Sequence, residues 1–286
     1  MFTHCDEYSS TWLSIDITLL KSAVSKGAVC LDGSPPAYYF QKGSGDGANN
    51  WLVYLEGGGW CASHDGCEQR TRTVVGSSNL RKGATFFGQI MSSDQIINRD
   101  FYNWNIVSVV YCDGSSYMGD VEGNNDIQRR GARIFDAIME DLLAKGMKNA
   151  KNAILSGGSA GGLGAILHCD GFRALLPSAS RVKCISDSGF FIHADIQTPF
   201  FFLESAFDDH QIFVAMIKTL REVANSKSTG IFVHSCYRHG HFYDQEFWAN
   251  SPVLRDKAIG DWYFERSSVQ EIDTQNELPQ NCTNHA

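Results

Sequence analysis

Apolar positions along the chain recur with two periods, and the alternation between them predicts the architecture. Residues 51–55 (WLVYL), 105–111 (NIVSVVY), 182–186 (VKCIS) and 230–234 (GIFVH) are short, nearly continuous apolar runs bounded by Gly, Asp, Asn or Ser. Such runs fit strands buried on both faces. Ala37-Tyr38-Tyr39-Phe40 is an earlier strand, entered from the turn cluster Asp32-Gly33-Ser34-Pro35-Pro36. Over residues 128–145 the period changes. Ile134, Ile138 and Leu142, with Phe135, Met139 and Leu143 alongside, recur every four positions, which makes an amphipathic helix closed by Gly146. Residues 212–223 repeat that spacing with Ile212, Met216, Ile217 and Leu220 on one face. Strands alternating with helices predict an α/β fold. Its central sheet is mostly parallel, with helices on both faces and ligands at the carboxyl edge.

The stretch 151–169 (KNAILSGGSAGGLGAILHC) carries the chemistry. Ala153-Ile154-Leu155 reads as a strand, Leu163, Ile166 and Leu167 as the apolar face of the next helix, and Gly157-Gly158-Ser159-Ala160-Gly161 between them as G-x-S-x-G. A sharp turn there lifts the Ser159 hydroxyl above the sheet edge, and glycines on both sides avoid the clashes that a Cβ would make. It also aims the helix N-terminus and the Ala160 N–H at an oxyanion formed on an attacked carbonyl. No Lys follows as a phosphate loop requires. About 100 residues upstream, Glu56-Gly57-Gly58-Gly59-Trp60-Cys61 leaves another strand, and its glycines let main-chain N–H groups approach a ligand as the other half of the same oxyanion hole.

A serine hydroxyl needs a base to take its proton, and the base needs a carboxylate to fix its tautomer. The order Ser159, then Asp187 or Asp208, then His239 just after a terminal strand supplies both in the sequence order of α/β-hydrolases. His234 and His241 compete with His239. A zinc site built from these three histidines lacks a Cys or carboxylate at the usual spacing.

Composition narrows the classes. A chain of 286 residues without repeats fits one domain, with residues 1–14 and 267–286 expected as tails. No segment offers the ~20 consecutive apolar residues of a membrane span. A formal charge of −8 disfavours nucleic acid and anionic membranes as non-specific partners. Two basic clusters stand against that balance, Arg70, Arg72, Arg81 and Lys82, and Arg129, Arg130 and Arg133. Nine cysteines suit disulfides in an oxidising compartment, with at least one left over and the pairing open. Asn281-Cys282-Thr283 is a glycosylation sequon. The start MFTHCDEYSSTW has no basic and apolar regions of a secretory signal, so a processed or shortened form is expected.

The chain resembles the pectin acetylesterase and Notum family of carboxylesterases, in its plant branch. The resemblance is carried by residues 27–35 (GAVCLDGSP), 51–61 (WLVYLEGGGWC), 101–105 (FYNWN), 111–116 (YCDGSS), the Ser159 turn, Ser235-Cys236-Tyr237 with His239, and 260–264 (GDWYF). It implies an α/β-hydrolase-like fold with no metal or cofactor, and a triad on Ser159, Asp208 and His239. Oxyanion donors fall on Gly58, Gly59 and Ala160. The implied activity is removal of O-acetyl groups from galacturonan by a secreted, cell-wall enzyme. Trp60, Arg70, Arg72 and Arg133 are the substrate-binding candidates, the arginines through paired bonds to polyuronate carboxylates. A fatty-acyl esterase with a pocket lined by Phe190, Phe191 and residues 200–202 is the alternative, and a silent polysaccharide-binding form is another. Two departures from the family pattern stand out: Gly240 follows His239 where members usually carry a cysteine, and the stretch between Asp208 and His239 is shorter.

Overall fold

The computed structural model describes residues 14–81, 83–85, 87–122, 126–189, 196–205, 228–234, 239–240 and 255–272. Among them the strands are β1 (Ile15–Leu19), β2 (Ala37–Gln41), β3 (Asn50–Leu55), β4 (Ala84–Thr85), β5 (Asn105–Val109), β6 (Asn152–Gly158), β7 (Arg181–Asp187), β8 (Phe200–Ser205), β9 (Gly230–His234) and β10 (Gln270–Ile272). The helices are α1 (His64–Thr71), α2 (Gly131–Ala144), α3 (Ala160–Leu175) and α4 (Arg255–Tyr263), with short 3-10 segments between elements.

All ten strands join one sheet in the order β10-β9-β8-β7-β6-β3-β5-β2-β1-β4. From β10 through β5 every neighbouring pair is parallel. β2, β1 and β4 extend the sheet antiparallel at the other edge. The chain goes from β3 to β5 on one side and then crosses to β6 on the other, so strand order reverses at β3. Ligands of open α/β sheets bind outside the carboxyl ends of the strands at such a reversal.

The continuous apolar runs are explained by two cores. Along β3, Trp51, Val53 and Leu55 pack into one and Leu52 and Tyr54 into the other. Val107 and Val109 alternate with Ile106, Phe200 and Phe202 with Phe201, and Ile231 and Val233 with Phe232 in the same way. The first core is closed by α2 through Ile134, Phe135, Ile138, Met139 and Leu142, and by α3 through Ile166, Cys169 and Phe172. α4 closes the second with Ala258, Ile259, Trp262 and Tyr263, against Phe101 and Trp104. Gly146 takes φ 120 just past the end of α2, so it terminates the helix as its position predicts.

Two expectations are corrected, and one apolar run without an expected element is assigned. Leu167 is an exposed side chain, because the buried stripe of α3 runs through Ala165, Ile166, Cys169 and Phe172 and leaves Leu167 outside it. The run ending in Phe200-Phe201-Phe202-Leu203 is β8, a strand buried along its whole length. The polar stretch after Arg266, expected as a tail, supplies β10 as far as Ile272, paired to β9. Lys82, Phe190, Phe191, Asp208, His241, Asn281 and the helix expected over 212–223 lie outside the described residues.

Candidate active site

β6 runs straight into Ser159 and α3 starts at the next residue. Ser159 adopts φ 54 and ψ −120, a conformation that costs a non-glycine residue about 1–3 kcal/mol and persists only when its surroundings over-determine it. They do so here. The Ser159 N–H donates to the Asp187 carbonyl at 2.8 Å and the Ser159 carbonyl accepts the Leu163 N–H at 3.2 Å. A Cβ on Gly157 would stand 2.0 Å from the Gly161 carbonyl oxygen, and one on Gly161 2.0 Å from that of Leu55. Strand and helix therefore cross at backbone contact. The serine itself is half-buried, just past a strand that is buried from Ala153 to Gly158.

Across the strand reversal, the glycine run after β3 leans on this turn. A Cβ on Gly57 would lie 2.2 Å from the Gly158 carbonyl oxygen and 3.0 Å from Ser159 Cβ. Gly58 and Gly59 take φ 149 and φ 68. Their carbonyls are turned inward. Arg70 Nη2 donates to the Gly58 oxygen at 2.6 Å and more weakly to that of Gly59 at 3.4 Å. The Tyr111 hydroxyl donates to the Gly59 oxygen at 2.8 Å. Among the described residues no hydrogen bond uses the N–H of Gly58, Gly59 or Ala160. Donors left open beside a strained serine can stabilise charge developing on an oxygen there.

The base of the loop is fixed by charge. Glu56 Oε2 pairs with Arg81 at 2.6 Å, Oε1 accepts from Ser108 at 3.3 Å, and burial holds its carboxyl above the usual range, opposed by the arginine. The far wall is the turn after β5. Asp113 Oδ2 accepts the N–H of Ser115 at 3.1 Å and of Tyr117 at 3.0 Å, and the Ser115 hydroxyl at 2.5 Å. Among the described residues its Oδ1 is buried without a hydrogen bond, and burial raises its pKa. The turn so formed presents Ser116, which accepts the Trp60 indole N–H at 2.8 Å. The ring of Trp60 stands 51 % exposed at the rim.

His239 is half-buried and follows β9. The next residue, Gly240, donates its N–H to the Ser188 hydroxyl at 2.8 Å. Ser188 in turn donates to Asp187 Oδ1 at 3.2 Å. The Asp187-Ser188 turn thus holds the serine turn with its carbonyl and the histidine segment with its hydroxyl. Asp187 itself is fully buried. Asp208 comes three residues after β8 ends at Ser205. His234 is the last residue of β9, two positions from Phe232, whose ring centroid lies 6.4 Å from its own.

The expected arginines have other partners. Arg70 is bound to the glycine loop. Arg133 bridges Asp120 and Glu122, each at 2.6 Å, with its side chain 27 % exposed. Arg72 is 76 % exposed and pairs with Glu68 at 3.0 Å. Sequence reasoning named Arg70 only as a substrate-binding candidate and missed the supporting contacts of Tyr111, Asp113, Ser116 and Ser188. The YCDGSS motif was the available signal, since an Asp two residues before a Ser at a turn caps its own backbone.

The parallel sheet and the strained serine turn at its strand reversal are those of an α/β-hydrolase-like fold, and the chain's relatives make it a carboxylic ester hydrolase. More narrowly, the chain belongs to the pectinacetylesterase family, whose profile, described as Pectinacetylesterase, matches residues 8–195 and 213–285. Pectin acetylesterase 11 of Arabidopsis thaliana is 38 % identical over 352 aligned residues, covering 91 % of this chain and 90 % of that protein. Pectin acetylesterase 7 of the same plant is 38 % identical over 354, with the same coverage. Palmitoleoyl-protein carboxylesterase notum1a of Danio rerio is 34 % identical over 172 residues, covering 57 % of this chain and 34 % of that protein. Since 91 % of 286 residues is about 260, an alignment of 352 positions leaves roughly 90 positions of the first relative without a counterpart here. The family match omits residues 196–212, which include β8 and Asp208.

Proposed function

We propose that this chain is a serine esterase that removes O-acetyl groups from pectin through an acyl-enzyme. Ser159 is the nucleophile, His239 the base, Asp208 the carboxylate that orients it, and the N–H groups of Gly58, Gly59 and Ala160 receive the oxyanion. The observation that carries the reading is the strained Ser159 beside three main-chain N–H groups that no bond among the described residues uses. His239 takes the hydroxyl proton as Oγ attacks the acetyl carbonyl. It returns that proton to the sugar oxygen as the C–O bond breaks, and then activates a water that releases acetate from Ser159. Asp208 accepts the other imidazole N–H and favours the tautomer that can do both.

The plant relatives' names support pectin as the polymer. Arg72 is the arginine best placed to meet a galacturonate carboxylate, because an exposed i,i+4 pair with Glu68 is worth only about 0.3–0.5 kcal/mol and exchanges readily. Trp60 offers an exposed ring beside the loop. Disulfides Cys30–Cys112, Cys61–Cys67 and Cys169–Cys184 support an oxidising, extracellular location. Among the described residues no helix is long and apolar enough to cross a membrane. Phe200, Phe201 and Phe202 give no support to a fatty-acyl pocket, since all three are buried in the two sheet cores.

The test is acetate release from acetylated pectin, compared with hydrolysis of short and long p-nitrophenyl esters. Acetate from pectin together with a preference for the two-carbon acyl group is expected. A preference for long acyl chains would overturn the substrate, and inactivity on every ester would leave only a binding protein.

A further inference from the structure

We propose that Arg70 is a positioning residue for the oxyanion loop and not a reader of the polymer's carboxylates. The inference rests on the esterase reading above and deepens it.

A run of three glycines has more freedom than any other tripeptide, so its N–H groups point at a substrate only if something outside the run fixes the peptide planes. In a trans peptide the carbonyl of one residue and the N–H of the next share a plane and point in opposite directions. Holding the Gly58 carbonyl inward therefore turns the Gly59 N–H outward. Arg70 holds that carbonyl, with Nη2 at 2.6 Å. Its Nε is anchored at the same time on the Val75 carbonyl at 3.0 Å, and its guanidinium carbon lies 5.3 Å from the centroid of the Tyr111 ring. The next plane is held by the Tyr111 hydroxyl on the Gly59 carbonyl. The guanidinium is thus clamped between ring and loop, with a fork that a lysine cannot reproduce.

The sequence builds the clamp locally. Ser63 caps α1 by accepting the Gly66 N–H at 3.1 Å, and Arg70 falls in the last turn of that helix. The Cys61–Cys67 disulfide ties the end of the glycine run to the same helix. Both a covalent and a charged link therefore connect one short helix to the loop that faces Ser159.

The two roles for Arg70 differ in what they change. A positioning residue acts on the transition state of every ester, whereas a carboxylate reader acts on the binding of charged polymer alone. Arg70→Lys, Arg70→Gln and Arg70→Ala should each lower kcat by roughly 10²-fold, the loss seen when one oxyanion donor is removed. The drop should be the same on neutral p-nitrophenyl acetate and on acetylated pectin, with KM within about twofold of wild type. Added methylguanidine should restore part of the Arg70→Ala activity, which a merely unfolded variant would not show. If Arg70→Ala fails to fold, Lys and Gln carry the same comparison. A rise in KM on pectin alone, with kcat kept on both substrates, would overturn the proposal. Labelling by a serine-directed phosphonate separates the two levels. A wild type that is not labelled means the esterase reading has failed, whereas a labelled wild type whose Arg70 variants are labelled at the same rate means that only the role of Arg70 has failed.

Discussion

The Ser188 hydroxyl accepts the Gly240 N–H at 2.8 Å, one residue from His239, while the preceding Asp187 gives its carbonyl to the Ser159 N–H at the same distance. One two-residue turn thus braces both the serine and the histidine. A neutral hydrogen bond contributes about 1 kcal/mol, so Ser188→Ala should cost little global stability but loosen the His239 segment. We expect kcat to fall on the order of tenfold with KM unchanged, read from steady-state hydrolysis of p-nitrophenyl acetate. Unchanged kcat would remove the brace from the account.

The carboxylate is tested by a pair of substitutions. Asp208→Asn should cost about 10⁴ in kcat with folding retained, because an amide there favours the wrong histidine tautomer. Asp187→Asn disturbs a side chain that is fully buried and bonded to Ser188, so it should lower the melting temperature and reduce kcat by no more than about tenfold. The reverse pattern would give the acid's role to Asp187.

Much of this was legible beforehand. The turn around Ser159 and the run Gly57-Gly58-Gly59 announce themselves because close backbone approach admits only glycine, as the 2.0 Å Cβ contacts of Gly157 and Gly161 show. Most of the strands were legible because two cores demand continuous apolar runs. β1 was not, since Asp16 and Thr18 break its pattern in an antiparallel strand next to the sheet's edge, and neither was α1, whose sequence HDGCEQRT has no apolar face and is held by a disulfide and a cap. The partners of the arginines were not legible for a related reason. Charge clusters in sequence do not reveal that Arg70 points at carbonyls and Arg133 at two carboxylates.

The share of stability that Asp113 contributes should fall as pH rises through its folded pKa. Burial raises the pKa of Asp113, so in the window between the ordinary carboxylate value and its raised folded value the native state keeps a proton that the unfolded chain has lost. The unfolded state then binds fewer protons, and the slope of stability against pH is negative. Glu56, raised for the same reason, acts in the same direction. Asp113→Asn should remove this negative share and so shift the slope of melting temperature against pH upward whatever its offset, while His168, whose pKa burial lowers, acts in the opposite direction. A slope identical to wild type would show that Asp113 ionises as freely in the native state as in the unfolded one.

The disulfides should differ in what they protect. In the chain-entropy account a closed loop of 82 residues contributes about 4.5 kcal/mol and one of 15 about 3, so replacing Cys30–Cys112 by alanines should cost more stability than replacing Cys169–Cys184. Cys61–Cys67 closes only six residues, about 2 kcal/mol, yet ties the glycine loop to α1. Its removal should therefore lower kcat more than the other two do, measured alongside denaturant midpoints. Equal kcat for all three variants would contradict that assignment.

The most direct test of the whole account is acetate release from acetylated pectin by wild type, by Ser159→Ala and by enzyme treated with a serine-directed phosphonate whose adduct is mapped by peptide mass. The account predicts acetate from wild type, a loss on the order of 10⁴-fold or more in Ser159→Ala at unchanged fold, and a phosphonate adduct on Ser159 that abolishes release. An active Ser159→Ala protein, or an adduct that inhibits from some other serine, would contradict it.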